Sequence, residues 1–285
     1  VIDYIGGKRD LAAGVVRTIG RADKRFSEDY LRMIRAVRFA VRLDFRIARD
    51  TAAAIRKLAP GIEKISGERI YDELTKMLSE PTAGEALDKL MQLHLAPHIF
   101  PGLFDSDDTW APAVRRVEAV AKKRDTVLNF GALLCDVSTA AVRRIVRRWG
   151  ASNEFKDAMV WLLEHRDDWR IAPEMRLCEF KRLMAGPHWS RGRELWKVRE
   201  QIETTRCDQS RRIARRAGTI APETISPPPL IIGEDLMKMG LTEGRKLGRI
   251  LRTLYDAQLN EELKNRRKAL AVAEKKIAAA LDKNS

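Results

Sequence analysis

The sequence predicts a mainly α-helical protein, and three observations lead to this prediction. Apolar residues recur with the helical period from Glu28 nearly to the end of the 285-residue chain. Runs of β-prone residues are confined to positions 1–4 and 15–19. Pro222 and the three prolines at 227–229 interrupt the helical pattern. These features favour a short two-strand β segment, a long helical middle part and a separate helical C-terminal part.

Helix-start signals divide the helical region into separate elements. Asp50 precedes an alanine-rich run at 51–59, and Ser66 precedes a helical run at 67–78. Thr82 and Glu85 have the spacing of a capping box, which would open a helix at 83–94. Further helices are predicted at 109–123, 126–135, 138–149, 153–166, 176–185, 188–206, 208–217, 233–240, 243–260 and 261–281.

Charge and cysteine usage narrow the function classes. Lys and Arg total 54 against 40 acidic residues, and the formal net charge of +14 indicates a polyanionic partner. A basic surface alone does not separate RNA from DNA or from an anionic membrane. Cys135, Cys178 and Cys207 lie far apart without a CxxC pair, which argues against a disulfide framework or zinc ribbon and favours the cytoplasm. No run approaches the roughly 18 apolar residues of a membrane helix, so no membrane partner is expected.

The segment from Glu28 to Phe39 carries the most information about function. On a helix it would be amphipathic, with the following arginines opposite the apolar side: Arg32, Arg35 and Arg38. Glu28 and Asp29 lie four and three positions before Arg32, so both carboxylates could orient its guanidinium. A carboxylate beside a fixed planar guanidinium can read the edge of a nucleobase. On the pattern alone, a solvated surface helix is the commoner explanation.

This segment resembles a known motif. Glu28-Asp29-x-x-Arg32, continued by Met-Ile-Arg-Ala-Val-Arg-Phe, is similar to the EDxxR motif of the class II tRNA nucleotidyltransferase and poly(A) polymerase family. Segments within 3–19, 66–74, 94–101 and 230–259 resemble other parts of that family in the same order. The resemblance covers 1–104 and 227–270 well, whereas the residues between are recognisable only as helical.

The resemblance implies a division into four parts. These are a remnant of the nucleotidyltransferase head at 1–26, a nucleotide-selecting and RNA-binding neck at 27–137, a helical body at 138–226 and a helical tail at 227–285. The two β-prone runs would belong to the head remnant, and the fold would otherwise be helical.

The resemblance also assigns roles to individual residues. Asp29 and Arg32 would pair with the base of incoming CTP or ATP, and Arg35 and Arg38 would complete the nucleotide contacts. Three residues would support them: Glu28, Arg69 and Glu73. Arg69 and Glu73 also have the i,i+4 spacing of a helix-stabilising salt bridge, which is the simpler explanation for that pair.

The function implied by the resemblance is template-independent addition of CMP and AMP to the 3′ end of tRNA. In that family the transfer uses Mg²⁺ ions held by carboxylates of a D-x-D strand. No D-x-D occurs near the N-terminus of this sequence, so we expect that strand upstream, expect no catalytic or metal-binding residue in this chain, and expect the chain alone to be inactive. Alternatives are a bacterial poly(A) polymerase or A-adding enzyme, and a non-catalytic RNA-binding module.

Two further arginine sets repeat at i, i+1, i+4 and i+5. The first stripe is Arg143, Arg144, Arg147 and Arg148, and the second stripe is Arg211, Arg212, Arg215 and Arg216. Each would form one basic face of a helix, suited to tracking a phosphate backbone, although a solvated face explains each equally well. The resemblance favours binding to the 3′ end and the acceptor and elbow region of tRNA.

Overall fold

Helices account for most of the structure, a computed structural model that describes residues 3–104 and 107–281. In chain order the elements are α1 (Gly7–Ala12), β1 (Val15–Val16), α2 (Ala22–Glu28), α3 (Leu31–Arg42), β2 (Arg46–Ile47), α4 (Arg49–Leu58), a 3-10 helix (Ala59–Lys64), α5 (Gly67–Leu78), α6 (Ala83–Gln92), α7 (Ala96–Ile99), α8 (Asp107–Ala121), α9 (Thr126–Leu134), α10 (Thr139–Arg148), α11 (Asn153–Glu164), 3-10 helices at Asp168–Arg170 and Ala172–Glu174, α12 (Leu177–Met184), α13 (Trp189–Thr204), α14 (Asp208–Gly218), a 3-10 helix (Pro222–Thr224), α15 (Gly233–Lys238), α16 (Arg245–Leu259) and α17 (Arg266–Leu281). The predicted mainly α fold is confirmed.

The described residues group into two compact units. Unit 1 holds the described residues up to 167 together with 190–206, and unit 2 holds 168–189 together with the described residues from 207 onward. The predicted boundary between 137 and 138 lies inside unit 1. The described residues therefore pack as two units and not as the four predicted parts. The functional roles given to those parts stay predictions.

The only sheet in the described part of the chain has two parallel strands. Val15 pairs with Arg46 and Val16 with Ile47. The strand predicted at 1–4 falls partly on Val1 and Ile2, which lie outside the described residues, and the rest of it is not in a strand. The strand that pairs with β1 is therefore β2. The sequence did not predict β2, because a two-residue strand is too short to show an alternating pattern.

α1 occupies the segment between the two β-prone runs of the sequence. The carboxylate of Asp3 accepts hydrogen bonds from the backbone N–H groups of Gly7 at 2.9 Å and Lys8 at 2.8 Å. These bonds lower the pKa of Asp3 below its usual value, because they favour the ionised carboxylate. Asp3 therefore stabilises the start of α1.

The core of unit 1 is centred on α3, α5 and α6. On α3, Met33, Ile34 and Val37 are completely buried, and Leu74 of α5 and Leu87 of α6 belong to the same hydrophobic cluster. Full burial of such side chains stabilises a fold by about 1.5–3 kcal/mol each. The apolar face of α3 is therefore fixed, and its arginines are held on the opposite side.

α5 also packs against the end of α10. A Cβ added at Gly67 would lie 1.9 Å from the backbone oxygen of Arg148, so only glycine allows this approach. Trp149, directly after α10, stacks on Tyr71 of α5 with ring centroids 5.7 Å apart, and Phe130 of α9 lies 5.5 Å from Trp149. α5 thus touches both helices that carry arginine sets in unit 1.

Unit 2 has a smaller core, which includes Leu236 and Leu254. Arg266 at the start of α17 donates to Asp235 at 2.6 Å and to the carbonyl of Leu230 at 2.7 Å. Gln258 of α16 accepts from the N–H of Leu230 at 2.9 Å and donates to a proline carbonyl at 2.9 Å. Residues within 230–259, one of the segments that resemble the family, therefore help to hold the proline segment and α15 in place.

Two local predictions are wrong. Thr82 has φ −90° and ψ 18°, and its side chain forms no capping hydrogen bond within the described residues, so the expected capping box is absent and α6 ends at Gln92. The helix expected to run from Glu28 through the arginines is interrupted, because α2 ends at Glu28 and α3 begins at Leu31.

Candidate nucleotide-binding site

The break between α2 and α3 determines how Asp29 is presented. Asp29 has an extended backbone, with φ −156° and ψ 103°, and its Oδ1 accepts a hydrogen bond from the N–H of Leu31 at 3.1 Å. An aspartate bonded to the backbone two residues ahead competes with continued helix. Asp29 therefore lies at a corner between two helices and not on the arginine face.

Arg32 is held by the end of α2. Its Nη1 donates to Glu28 Oε2 at 2.6 Å and to the carbonyl of Arg25 at 2.8 Å. Arg25 also donates to Glu28 at 2.6 Å. The hydrogen bond from Arg32 and the charges of both arginines hold the pKa of Glu28 below its usual value. The expected contact between Glu28 and Arg32 is present, and it fixes the direction of the guanidinium.

Asp29 is bonded to α5 and not to Arg32. Its Oδ2 accepts from Arg69 Nη2 at 2.9 Å. Burial alone would raise the pKa of Asp29, but the hydrogen bonds from Arg69 and Leu31 and the charges of Arg69 and Arg32 together lower it. The carboxylate is therefore ionised at neutral pH. The expectation that both Glu28 and Asp29 orient Arg32 is wrong for Asp29.

Glu73 joins two arginines of α3 across the helix interface. Its side chain is 2% exposed and accepts from Arg35 Nη1 at 2.9 Å and from Arg38 Nε at 2.8 Å. The salt bridge expected between Arg69 and Glu73 is replaced by these contacts to α3, because the two side chains project from α5 toward different partners. Arg38, with a side chain 9% exposed, is therefore buried and paired with Glu73.

A cavity of about 240 Å³ adjoins the exposed arginines. Its lining residues are Val16, Arg17, Thr18, Ile19, Arg25, Phe26, Arg32, Arg35, Ala36, Phe39 and Thr51. Of the four predicted nucleotide-binding residues, this lining contains Arg32 and Arg35, whereas Asp29 and Arg38 lie outside it. Arg32 and Arg35 thus share one concave surface with the end of β1.

The cavity also contains residues that sequence reasoning did not assign to a site. Thr51 of α4 accepts a hydrogen bond from the N–H of Thr18 at 3.3 Å, which joins the end of β1 to α4. The ring of Phe39 lies 4.5 Å from the guanidinium carbon of Arg38. Of Phe39 and Thr51, only Phe39 could have been found from the sequence, since it follows Arg35 by four positions on the same helix. Thr51 reaches the cavity through tertiary packing.

The first arginine stripe lies on the surface of unit 1, as predicted. Arg143, Arg144, Arg147 and Arg148 are all exposed on α10, and alternate with buried residues of the same helix. Arg143 lies 3.7 Å from Glu164 of α11. This face can meet a phosphate backbone without rearrangement of the helix.

The second stripe is not one uniform exposed face. Arg216 donates to the carbonyls of Ala172 and Pro173 at 2.9 Å each and to that of Met175, and its guanidinium lies over Phe180. Arg212 forms an ion pair with Glu174, and Arg211 lies 3.5 Å from Asp208. Arg216 therefore satisfies the backbone of a neighbouring 3-10 helix, a role that the spacing could not show.

The described residues offer neither a metal-binding cluster nor a membrane-spanning helix. No group of three or more His, Cys, Asp or Glu side chains in that part of the chain could hold a metal ion. The three cysteines are buried, and none of them forms a disulfide bond within the described residues. None of the helices described is both long and apolar enough to cross a bilayer.

Comparison with family models gives two matches. The model described as tRNA nucleotidyltransferase domain 2 matches residues 124–273, more than half of the chain. The model described as "Probable RNA and SrmB- binding site of polymerase A" matches residues 44–106.

Curated relatives include CCA-adding enzymes and poly(A) polymerases. The CCA-adding enzyme of Lactococcus lactis subsp. cremoris is 28% identical over 288 residues, covering 97% of this chain and 66% of that protein. Poly(A) polymerase I of Escherichia coli O6:H1 is 38% identical over 131 residues, covering 45% of this chain and 28% of that protein. The chain therefore spans less than two thirds of the length of these relatives.

Solved structures share the fold. The crystal structure of the Bacillus stearothermophilus CCA-adding enzyme in complex with CTP has a TM-score of 0.74 and 27% identity, covering all of this chain and 70% of that one. The Thermotoga maritima CCA-adding enzyme complexed with tRNA has a TM-score of 0.64 at 19% identity, covering 98% of this chain and 67% of that one, and this likeness shows the fold alone.

Proposed function

This chain belongs to the class II tRNA nucleotidyltransferase family, and from that premise we propose that it serves template-independent addition of CMP and AMP to the 3′ end of tRNA. In this proposal the chain supplies nucleotide selection and tRNA binding. The observation that carries it is the cavity lined by Arg32 and Arg35, on the helix that follows the ionised Asp29. The CTP-bound relative of similar fold supports the assignment of CTP as a ligand.

Nucleotide selection follows from the donors and acceptors of Asp29 and Arg32. Cytosine and adenine both present an exocyclic amino donor beside a ring-nitrogen acceptor, whereas uracil presents a carbonyl and an N–H. A carboxylate accepts from the amino group, and a guanidinium donates to the ring nitrogen. Because Glu28 and the carbonyl of Arg25 fix Arg32, the pair discriminates by hydrogen-bond order. CTP and ATP are then accepted, and UTP is rejected.

Arg35 and Arg38 take different parts in this proposal. Arg35 lines the cavity and contacts the nucleotide. Arg38 is buried against Glu73, so it acts through that carboxylate to position Arg35. Arg69 has the corresponding positioning role for Asp29.

The RNA partner in this proposal is tRNA, bound through its 3′ end and its acceptor and elbow region in the cytoplasm. The first stripe contacts phosphates, and so do the exposed arginines of the second stripe, Arg211, Arg212 and Arg215. Nucleotidyl transfer in this family uses Mg²⁺ to activate the attacking hydroxyl. The described residues do not provide a fitting metal site, so no metal-dependent step is assigned to them.

Poly(A) polymerase or an A-adding enzyme is the alternative function, because poly(A) polymerase I is 38% identical to part of this chain. Such an enzyme would need ATP and not CTP. A non-catalytic RNA-binding module is the third possibility, and it would bind RNA without selecting nucleotides.

Binding of separate nucleotides to the chain tests the proposal. We expect CTP and ATP to bind, UTP to bind at least about tenfold more weakly, and Asp29→Ala and Arg32→Ala each to weaken CTP binding about tenfold or more. Arg32→Lys should rescue little, because lysine lacks the planar fork. The measurement is isothermal titration calorimetry.

The matched control is Arg42→Ala, an exposed position at the end of the same helix that pairs with Glu80 at 3.7 Å. CTP binding should be unchanged in this variant. Equal binding of CTP and UTP, or wild-type CTP binding by Arg32→Ala, would contradict the assignment of this site. Binding of ATP without CTP would favour the A-adding alternative.

A further inference from the structure

A groove of about 420 Å³ lies between α10 and α11, away from the cavity at α3. Its lining residues are Val142, Arg143, Val146, Arg147, Lys156, Asp157, Met159, Val160 and Leu163. The volume falls in the range of about 300–1,000 Å³ that ligand sites of proteins occupy. None of the roles proposed above uses its apolar part.

The floor of the groove is aliphatic and preformed. Val142 and Val146 lie four residues apart on α10, and Met159 and Leu163 lie four residues apart on α11, so each pair projects from one helix face. All four belong to the core of unit 1 and are at most 3% exposed. Because the packing of the two helices holds these side chains, the floor is rigid.

The rim of the groove is charged on both sides. Arg143 and Arg147 border it on α10, and Lys156 and Asp157 border it on α11. The other two arginines of the first stripe, Arg144 and Arg148, are exposed but do not line it. The stripe therefore has two unequal halves, one beside an apolar surface and one facing solvent.

We infer that this groove binds an unpaired nucleotide of RNA, with the base against the half-buried Val160 over the aliphatic floor and the flanking phosphates at Arg143, Arg147 and Lys156. The carboxylate of Asp157 accepts a hydrogen bond from an exocyclic amino group of the base. Recognition of single-stranded RNA depends on splayed bases that leave water for a protein surface. The inference rests on the proposed RNA-binding function and adds a base-contacting site to it.

An acidic amphipathic helix of a partner protein is the competing occupant, and two observations disfavour it. Asp157 at the rim would repel acidic side chains, whereas it supplies an acceptor that a base can use. The positive charge also continues past the groove lining at Arg144 and Arg148, which suits a phosphate backbone that extends beyond the groove.

The test compares paired substitutions on the same helix in the full chain. Fluorescence anisotropy would measure the affinity of each protein for a single-stranded RNA of about 12 nucleotides, rich in A and C, and for a blunt duplex of the same length. The variants are Arg143→Ala/Arg147→Ala and, as the matched pair, Arg144→Ala/Arg148→Ala. All four residues are exposed, so both proteins should fold, and their circular dichroism melts would check this.

We expect Arg144→Ala/Arg148→Ala to weaken binding of both RNAs by the same factor, about threefold. Arg143→Ala/Arg147→Ala should weaken single-stranded binding by about tenfold more than duplex binding. Val160→Asp, at a half-buried groove position, should weaken single-stranded binding alone. A circular dichroism melt of that variant would show that it is folded.

Equal losses for the two arginine pairs on both RNAs would overturn the inference, because the stripe would then bind phosphates only. Displacement of an acidic amphipathic peptide, with no difference between the two RNAs, would also overturn it in favour of a protein partner. CTP binding at the α3 cavity is measured separately. If the chain did not bind CTP, the proposed nucleotide-selecting function would be contradicted. The groove would still be tested independently by the comparison of the two RNAs.

Discussion

α3 and α10 each carry an arginine face, yet the two helices present their arginines differently. On α3, Arg38 is buried and bonded to Glu73, and Arg35 shares the same carboxylate. On α10 all four arginines are exposed. Both helices pack against α5, which offers a buried carboxylate to α3 and the bare backbone of Gly67 to α10. The neighbouring helix therefore decides whether an arginine face is neutralised or left available for an anionic partner.

Removing the carboxylate of Glu73, which Arg35 and Arg38 share, should lower the free energy of unfolding strongly. Glu73→Ala leaves Arg38 buried without its partner, and loss of one member of a buried pair costs about 3–5 kcal/mol in the free energy of unfolding. The measurement is urea-induced unfolding followed by circular dichroism.

The control is Asp72→Ala on the same helix, since Asp72 forms an exposed salt bridge with Lys76 at 2.5 Å. Its loss should cost about 1 kcal/mol or less. Equal destabilisation by the two substitutions would show that Glu73 does not neutralise a buried charge.

Replacing Arg38 by lysine, which conserves the charge, should lower the free energy of unfolding less than Glu73→Ala does. Arg38→Lys keeps the charge but cannot reproduce the Nε donor to Glu73, so we expect a loss of about 1–3 kcal/mol in the free energy of unfolding. Arg144→Lys on α10 should change it by no more than about 0.5 kcal/mol. A similar loss at both positions would mean that burial does not distinguish the two faces.

The smallest expected effect concerns the pH dependence of Asp29. Arg69→Met removes a hydrogen bond and a charge that lower the pKa of Asp29, so this pKa should rise. A lowered carboxyl pKa in the folded state adds stability above the unfolded pKa, and this stability is lost as the pH falls through the folded pKa. The variant should therefore lose about 1 kcal/mol or less at neutral pH, because the pair is partly exposed, and show a weaker decline of stability in acid.

Carbon-detected NMR titration of the Asp29 carboxyl would measure this shift directly, and Arg49→Met offers an exposed control on another helix. An unchanged Asp29 pKa in Arg69→Met would show that Arg69 does not hold that carboxylate in solution.

The sequence predicted the features that depend on one helix at a time. The run at 67–78 coincides with α5, because apolar period and a Ser66 start signal agree there. The apolar and arginine sides of α3 were also predicted. Pairings between helices were not predictable, since the i,i+4 rule joined Arg69 to Glu73, whereas packing gives each a partner on another element. Arg216 likewise bonds carbonyls more than 40 positions earlier in the chain.

Gly67 and Glu73 lie on one helix, and both of their contacts depend on the number of residues between them. The two residues are six positions apart, which corresponds to about 9 Å of helix rise. Inserting or deleting one residue between them would turn one contact by about 100° relative to the other. Glu73 would then lose its contact with Arg38, or Gly67 would lose its contact with the backbone at Arg148. Changes of chain length should therefore be excluded from α5, and variation there should be limited to substitutions on its exposed side.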